Sequence, residues 1–408
     1  MNWKSYAFVG RVAVAVLLGF ILSAWLNFLP TALSGKVDFR HLYTAGYLLR
    51  TGQRHLLYDQ SANLNAQQKL VSSWHGYPYN HLAYEAILFA PFSLIPYPAA
   101  YLCFALVNVL VMAACAWILR SIFPWAAMPT IWAGFLVLFL PLYFVLTDGQ
   151  DSFLLLLCFV VSLWMLNKGW DESAGMAAGL GLFKFQFVLP VGLLFLCWRR
   201  WRFCLGVIIS TLAVVGLSIW LTGWAETVNY VGYLLGMGTS SQGRATYGIV
   251  PGDMPNIRGL VFGLTGEHPA IVLALSLGVL TATWAKMKNA SRQAQFIAAT
   301  VAGTVVSYHC LSYDWTVLLP AAVVAIVAGG FSRLLVTGAF VASSFLFMFK
   351  LFPLGTLPLT IFLFFNRHDA FQNRDPHTAQ QNGNSDGVPH VAPLTRDQFK
   401  GPHPTESP

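Results

Sequence analysis

Charge is what this chain has least of, because only 10% of its 408 residues are Asp, Glu, Lys or Arg, against roughly 25% in an ordinary soluble domain. Hydrophobic residues make up 56% of the sequence and aromatic residues 15%. A composition this apolar argues against a soluble globular domain and predicts a polytopic, all-α membrane protein.

Several functional signatures are missing as well. The sequence contains no G-x-x-x-x-G-K-[ST] loop, no H-E-x-x-H helix and no C-x-x-C pair, so no motif indicates nucleotide or zinc binding. The cysteines lie in or near apolar runs, which is typical of small core residues: Cys103, Cys115, Cys158, Cys197, Cys204 and Cys310. We therefore expect neither a metal nor a cofactor.

The net charge of +8 does not indicate nucleic-acid binding, because the Lys and Arg residues stand beside the ends of apolar runs, as the positive-inside rule describes. The first run, residues 12–29, has no charge and no small-residue cleavage site after it, which predicts an uncleaved first helix. Spanning-length runs are predicted at about 6–29, 98–120, 127–146, 151–167, 203–221, 269–285, 294–310, 315–331, 334–349 and 352–366.

Alternation of these runs puts the basic residues on one side, which we predict to be the cytoplasm: Lys4, Arg11, Arg120, Lys168, Arg199, Arg200, Arg202, Lys286, Lys288, Arg292, Arg333 and Arg367. Residues 173–198 are too few for two full spans, yet a single span would put its two basic ends on opposite sides of the membrane. Lys184 and Pro190 interrupt this run, so we predict two short helices that meet inside the protein and return. The result is about 12 membrane segments, with both termini cytoplasmic, in the inner (plasma) membrane.

This arrangement of spans predicts one membrane domain over residues 1–366 with two long extracytoplasmic loops, 30–97 and 222–268. A disordered cytoplasmic tail, residues 367–408, follows, since that stretch is poor in large apolar residues. Within the first loop, apolar residues recur at helical spacing over residues 39–47, which predicts an amphipathic helix on the membrane surface.

Asp38 stands where the first span meets the first outer loop. It could be an N-cap, a common role for Asp just before an amphipathic helix. Other polar residues that end spans on the same predicted side favour a functional role instead. They occur in "TDGQD", with Asp148, Gln150 and Asp151, and in "SYHCLSYDW", with Tyr308, His309 and Asp314.

Each of these residues also has an ordinary reading. Asp148-Gly149 is a common turn pair, and a lone loop histidine such as His309 is more often a hydrogen-bonded residue than a catalytic one. Lys184 is less ordinary, because a lysine in the middle of an apolar hairpin is costly. It either snorkels to an interface or meets an anionic partner, which is a protein carboxylate or a ligand phosphate.

The chain resembles the polyprenol-phosphate-mannose-dependent mannosyltransferases of glycosyltransferase family 87, which have the GT-C fold. The matching stretches occur in the family's order over about residues 1–366: "DFRHLYTAGYLLRTGQRHLLYD", "YPYNHLAYEAILFAPFSLIP", "DGQDSFLLLL", "SAGMAAGLGLFKFQFVLP" followed by "RRWR", and "SYHCLSYDWTVLLP". One departure is Tyr77-Pro78-Tyr79 in the second stretch, where many relatives have a Pro-Pro pair.

The resemblance implies an outward-facing enzyme that moves a hexose, with mannose expected, from a polyprenyl-phosphate donor to a lipid or glycan acceptor. An aspartate at the start of the first outer loop is the base in such enzymes, and that position is Asp38. We expect His309 to be the second catalytic residue. The expected substrate-binding residues are Lys184, Asp148, Gln150, Arg258, Tyr308 and Asp314.

The main alternative is a transporter or flippase of polyprenyl-linked lipids that carries out no transfer chemistry. Transporters place polar residues at broken helices near the membrane midplane, as Lys184 would be. The long outer loops and the outward clustering of Asp38, Asp148, His309 and Asp314 favour the enzyme. A structural scaffold would leave Lys184 unexplained.

Overall fold

The computed structural model describes residues 3–72, 76–123, 139–239, 249–327 and 351–356, and the isolated positions 342, 346 and 360. Every regular element in these ranges is helical, which confirms the all-α prediction there. The α-helices, labelled in chain order, are α1 (Trp3–Leu33), α2 (Phe39–Arg50), α3 (Gln60–Leu70), α4 (Ala86–Phe89), α5 (Tyr97–Ile122), α6 (Pro141–Asp148), α7 (Ser152–Asn167), α8 (Asp171–Gly179), α9 (Phe185–Cys197), α10 (Trp201–Thr222), α11 (Trp224–Thr239), α12 (Ile257–Thr265), α13 (Pro269–Met287), α14 (Arg292–Val306) and α15 (Leu319–Val327). Short 3-10 turns lie at Arg54–Leu56, Ala83–Glu85, Pro91–Leu94, Leu180–Lys184, Pro251–Asp253, Ser312–Leu318 and Phe352–Gly355.

Four helical segments of the described chain are long and apolar enough to cross a membrane: Tyr97–Ile122, Asp171–Cys197, Trp201–Thr222 and Pro269–Met287. Two further apolar stretches, Leu18–Leu33 and Ser152–Asn167, are shorter. They support a membrane protein, while the number of spans and their sidedness stay predictions. Most of the predicted runs at 127–146, 334–349 and 352–366, and the whole tail at 367–408, fall outside the described residues.

The segment from Asp171 to Cys197 folds back on itself, as its basic ends and central Lys184 predict. An added Cβ on Gly175 of α8 would lie 1.9 Å from the carbonyl oxygen of Phe203, and one on Gly192 of α9 would lie 4.0 Å from Val207 Cγ1. Both arms therefore run beside the first turns of α10. The chain enters and returns at the same end, and Lys184 lies in the turn between the arms.

Small residues let α8 and α10 touch backbone to backbone. Gly175 and Gly179 are four residues apart on α8, and an added Cβ on Gly206 of α10 would lie 1.9 Å from the carbonyl oxygen of Glu172. Small residues at this spacing are typical of close helix crossings in membranes. This tight packing fixes the position of the turn that carries Lys184.

The helix predicted after Asp38 is present as α2, but it is buried and does not lie on the surface. Most of its residues are buried, including Arg40 and His41. The reason is an aromatic cluster from later segments, in which the Phe39 ring stacks on Phe104 with centroids 5.0 Å apart. Burial of α2 fixes the position of Asp38, which directly precedes it.

Candidate active site

The cavity that contains the predicted residues has a volume of about 830 Å³. Its wall includes every predicted catalytic or binding residue except Asp148: Asp38, Gln150, Lys184, Arg258, Tyr308, His309 and Asp314. The predicted convergence of these separate segments is therefore present in the structure. Asp148 ends α6 beside Gly149, whose φ of 62° closes the helix in the left-handed conformation, as expected for a turn pair.

Asp38 occupies the N-cap position of α2 but makes no capping hydrogen bond there. Its Oδ2 instead accepts a 2.6 Å hydrogen bond from Gln150 Nε2. Asp59, the N-cap of α3, shows the contrast, because its side chain accepts from the backbone N–H of Ala62. Burial raises the pKa of Asp38 above its ordinary value, and the hydrogen bond from Gln150 opposes that rise. The structure thus removes the capping explanation of Asp38.

Lys184 meets its anionic partners within the protein. Its Nζ lies 2.8 Å from Asp151 Oδ1 and donates at 2.6 Å to Asp314 Oδ1 and at 2.7 Å to Ser152 Oγ. Lys184 and both carboxylates are buried. Snorkelling is therefore not how this lysine is accommodated, since a buried network balances its charge.

His81 continues the same network on the cavity wall. Its Nδ1 lies 2.5 Å from Glu85 Oε2 and 3.1 Å from Asp151 Oδ2. Burial by itself would lower the pKa of His81, but Glu85 and Asp151 raise it to about 10. One ligand atom from each of these three residues lies within 4.8 Å of the others. At these distances a proton lies between His81 Nδ1 and the two carboxylates.

Another part of the wall carries Arg258 and the segment Tyr308–His309. Arg258 donates to the Tyr308 carbonyl oxygen at 3.1 Å, and its guanidinium carbon lies 4.0 Å from the centroid of the Tyr308 ring. Burial lowers the pKa of His309 to about 4, although Asp314 is near. His309 is thus a neutral hydrogen-bonding group, not a cation, at neutral pH. Within the described residues its buried Nδ1 has no hydrogen-bond partner.

The cavity joins this polar wall to an apolar one. Side chains from α11, α12, α13 and the connection after α11 form the apolar part: Leu234, Leu235, Val250, Phe262, Val272 and Leu273. A site with adjoining polar and apolar walls suits a ligand that combines a charged head with a hydrocarbon chain.

Four residues of this site have no role predicted from the sequence: His81, Glu85, Asp151 and His41. His41 lines the cavity, and within the described part of the chain its buried Nε2 has no hydrogen-bond partner. A signal for His81 and Glu85 was present, since they stand four residues apart in "HLAYE", the spacing of neighbours on a helical turn. The approach of Asp151 to this pair had no signal, because it depends on packing between distant segments.

Comparison with known protein families gives one result for function. The family model of glycosyltransferase family 87 matches residues 84–312, which is more than half of the chain. No curated protein and no solved structure matches significantly. The matched region contains Gln150, Asp151, Lys184, Arg258 and His309, whereas Asp38 and His81 precede it.

Proposed function

The chain belongs to glycosyltransferase family 87, and we propose that this membrane glycosyltransferase moves a hexose from a polyprenyl-phosphate carrier to an acceptor hydroxyl at the extracytoplasmic face. We further propose a GT-C type architecture and mannose as the sugar, on the sequence resemblance. The acceptor in this proposal is a lipid or a glycan.

The observation that carries the proposal is the state of Asp38. Its carboxylate makes no capping hydrogen bond. It is oriented by a hydrogen bond from Gln150 and lines the cavity. A carboxylate with these properties can accept the proton of an acceptor hydroxyl. Burial raises the pKa of Asp38, and a higher pKa makes its carboxylate a stronger base than that of an ordinary aspartate.

In the proposed reaction, the acceptor oxygen attacks the anomeric carbon as Asp38 takes the hydroxyl proton. The bond from the anomeric carbon to the phosphate oxygen breaks, and the electron pair leaves with the polyprenyl phosphate. One displacement of this kind inverts the anomeric centre. In this arrangement the donor substrate contacts Arg258, Tyr308 and His309, and its lipid chain contacts the apolar wall of the cavity. Fixed donors placed where negative charge develops lower the barrier.

The test is incubation of purified protein with radiolabelled polyprenyl-phosphate mannose and a lipid extract. The expected result is a new labelled product together with free polyprenyl phosphate. Reconstitution of the same protein in vesicles separates the alternative. Movement of the intact donor between leaflets, with no labelled product, would identify a flippase and reject the enzyme.

A further inference from the structure

The ammonium group of Lys184 is already engaged by buried groups of the protein. Its Nζ donates hydrogen bonds to Asp314 Oδ1 and Ser152 Oγ and forms an ion pair with Asp151 Oδ1 at 2.8 Å. A donor phosphate would have to compete with these three partners for the same charge. The cation that meets the phosphate is therefore to be sought elsewhere on the cavity wall.

Unlike Lys184, His81 can keep its protein partners and still offer a hydrogen-bond donor to a ligand. Glu85 and Asp151 both approach its Nδ1, and both carboxylates are fully buried. Two buried carboxylates on one ring nitrogen favour the protonated, positive imidazole. An imidazolium ring donates from both nitrogens. Nε2–H is thus the second donor of the ring.

That second donor belongs to a side chain on the cavity wall. His81 lines the cavity together with Asp38 and Lys184, and its side chain remains 12% exposed. The ring packs edge-on to His41, with centroids 5.7 Å apart. The pKa of His41 is lowered to about 3, first by burial and then by the charge of His81, so His41 adds no competing charge at neutral pH.

We propose that His81 is a catalytic residue whose Nε2–H donates a charge-assisted hydrogen bond to the phosphate of the polyprenyl-linked donor and stabilises it as it leaves. The proposal rests on the proposed function. No proton moves to the phosphate, because the acceptor proton goes to Asp38 and His81 stays protonated. Lys184 then acts as a positioning residue that holds Asp151 against His81.

The first experiment measures binding of farnesyl monophosphate, a short lipid phosphate without sugar, to purified protein in detergent. The His81→Gln variant keeps a donor but removes the charge, so affinity should fall about tenfold or more. The matched control is His55→Gln, because His55 is an exposed histidine of the same outer segment. Equal affinities of His81→Gln and the wild type would overturn the proposal.

A second variant covers the case in which His81→Gln fails to fold. Glu85→Gln keeps the shape of the site but removes one of the two charges that hold His81 protonated. The pKa of His81 should then fall toward its ordinary value of about 6.5, so lipid phosphate binding should weaken between about pH 6 and pH 9. The groups that face His81 are Glu85 on its own turn, Asp151 before α7, His41 on α2 and Tyr79; Lys184 acts through Asp151.

The wild type should keep more of its affinity over this range. Burial raises the pKa of Glu85 to about 8, so as the pH rises Glu85 gains the negative charge that holds His81 protonated. Ionisation of the phosphate itself is common to both proteins. Parallel profiles for Glu85→Gln and the wild type would contradict a cationic His81. Loss of binding on chelation, with recovery on adding Mn²⁺ or Zn²⁺, would also overturn it, because the same three residues would then hold a metal. If the wild type binds farnesyl phosphate but transfers no sugar, the proposed function fails while the role of His81 in phosphate binding stands.

Discussion

Gln150 Nε2 donates a 2.6 Å hydrogen bond to Asp38 Oδ2 and joins two segments that are 112 residues apart in the chain. The backbone of Gln150 is fixed in turn, because its carbonyl oxygen accepts from the buried Asn108 Nδ2 at 3.1 Å. One carboxylate oxygen of Asp38 is thus engaged by the protein. The other oxygen, Oδ1, is the atom that can accept the proton of an acceptor hydroxyl.

Asp38→Asn should fold, bind the lipid-linked donor and transfer the sugar at least about a hundredfold more slowly. The amide still accepts from Gln150 but cannot take a proton. No helix cap is lost, because Asp38 makes no capping hydrogen bond. Single-turnover transfer of labelled donor measures the rate, and a binding assay measures donor affinity.

The control for this variant is Asp59→Asn, in the same predicted loop, residues 30–97. Asp59 is exposed and caps α3, and asparagine caps about as well as aspartate. Asp59→Asn should therefore transfer sugar at close to the wild-type rate. If Asp38→Asn also transfers within a few-fold of wild type, Asp38 is not the base.

Gln150→Leu should change the pH dependence of transfer. Asp38 acts as a base only when ionised, so the rate falls as the pH drops through its pKa. Burial raises that pKa, and the hydrogen bond from Gln150 lowers it, so loss of the bond should shift the acid limb of the pH–rate profile to higher pH. The turnover rate should also fall about tenfold, because one hydrogen bond orients the base. An acid limb in the same place as that of wild type would mean that another group sets it.

Lys184→Met should destabilise the fold, since it leaves Asp151 and Asp314 as buried carboxylates without their shared cation. Breaking a buried ion pair from one side typically costs about 3–5 kcal/mol. Thermal unfolding in detergent should therefore begin at a clearly lower temperature. The control is Lys168→Met, because Lys168 is exposed at the end of α7 and should change little.

A second substitution separates charge from packing. If unpaired charge is the cause, adding Asp314→Asn to Lys184→Met should restore part of the lost stability, because one uncompensated carboxylate is removed. A double variant less stable than Lys184→Met alone would show that side-chain packing, and not charge, dominates at this position.

The sequence predicted the parts of this site that depend on chain position. Asp38 at the end of a span and Lys184 inside an apolar hairpin are both visible from local pattern. The need of Lys184 for an anion was also predictable, since a buried charge requires one. Which anion could not be predicted, because Asp151 and Asp314 were two of several carboxylates near span ends.

The burial of α2 and the contacts of His81 could not be predicted from the sequence, for a related reason. Helical periodicity predicts that Phe39 faces an apolar environment, which a membrane surface and an aromatic cluster satisfy equally. The cluster forms only because Phe89 and Phe104, from later elements, pack on Phe39. His81 likewise depends on Asp151 of a distant segment. Both contacts require the tertiary fold.

The orientation of the site in the membrane is testable with single cysteines. Of the basic residues that we expect in the cytoplasm, Arg292 pairs with Asp171 at 2.7 Å, at the start of the hairpin that contains Lys184. The end of that hairpin is close to the basic end of α13, because Trp198 donates to the Trp284 carbonyl oxygen. Lys184 lies in the turn at the opposite end of its hairpin. In a background with the native cysteines replaced, Gln60→Cys tests the first outer segment and Lys168→Cys tests the basic end, and both positions are exposed.

An impermeant maleimide applied to intact cells should label Gln60→Cys, and it should label Lys168→Cys only after the cells are made permeable. The physical reason is the retention of Lys and Arg on the cytoplasmic side during insertion. The opposite pattern would turn Asp38 toward the cytoplasm and reject an extracytoplasmic site. Labelling of both positions in sealed cells would contradict the predicted topology, in which the three runs 98–120, 127–146 and 151–167 cross the membrane between them.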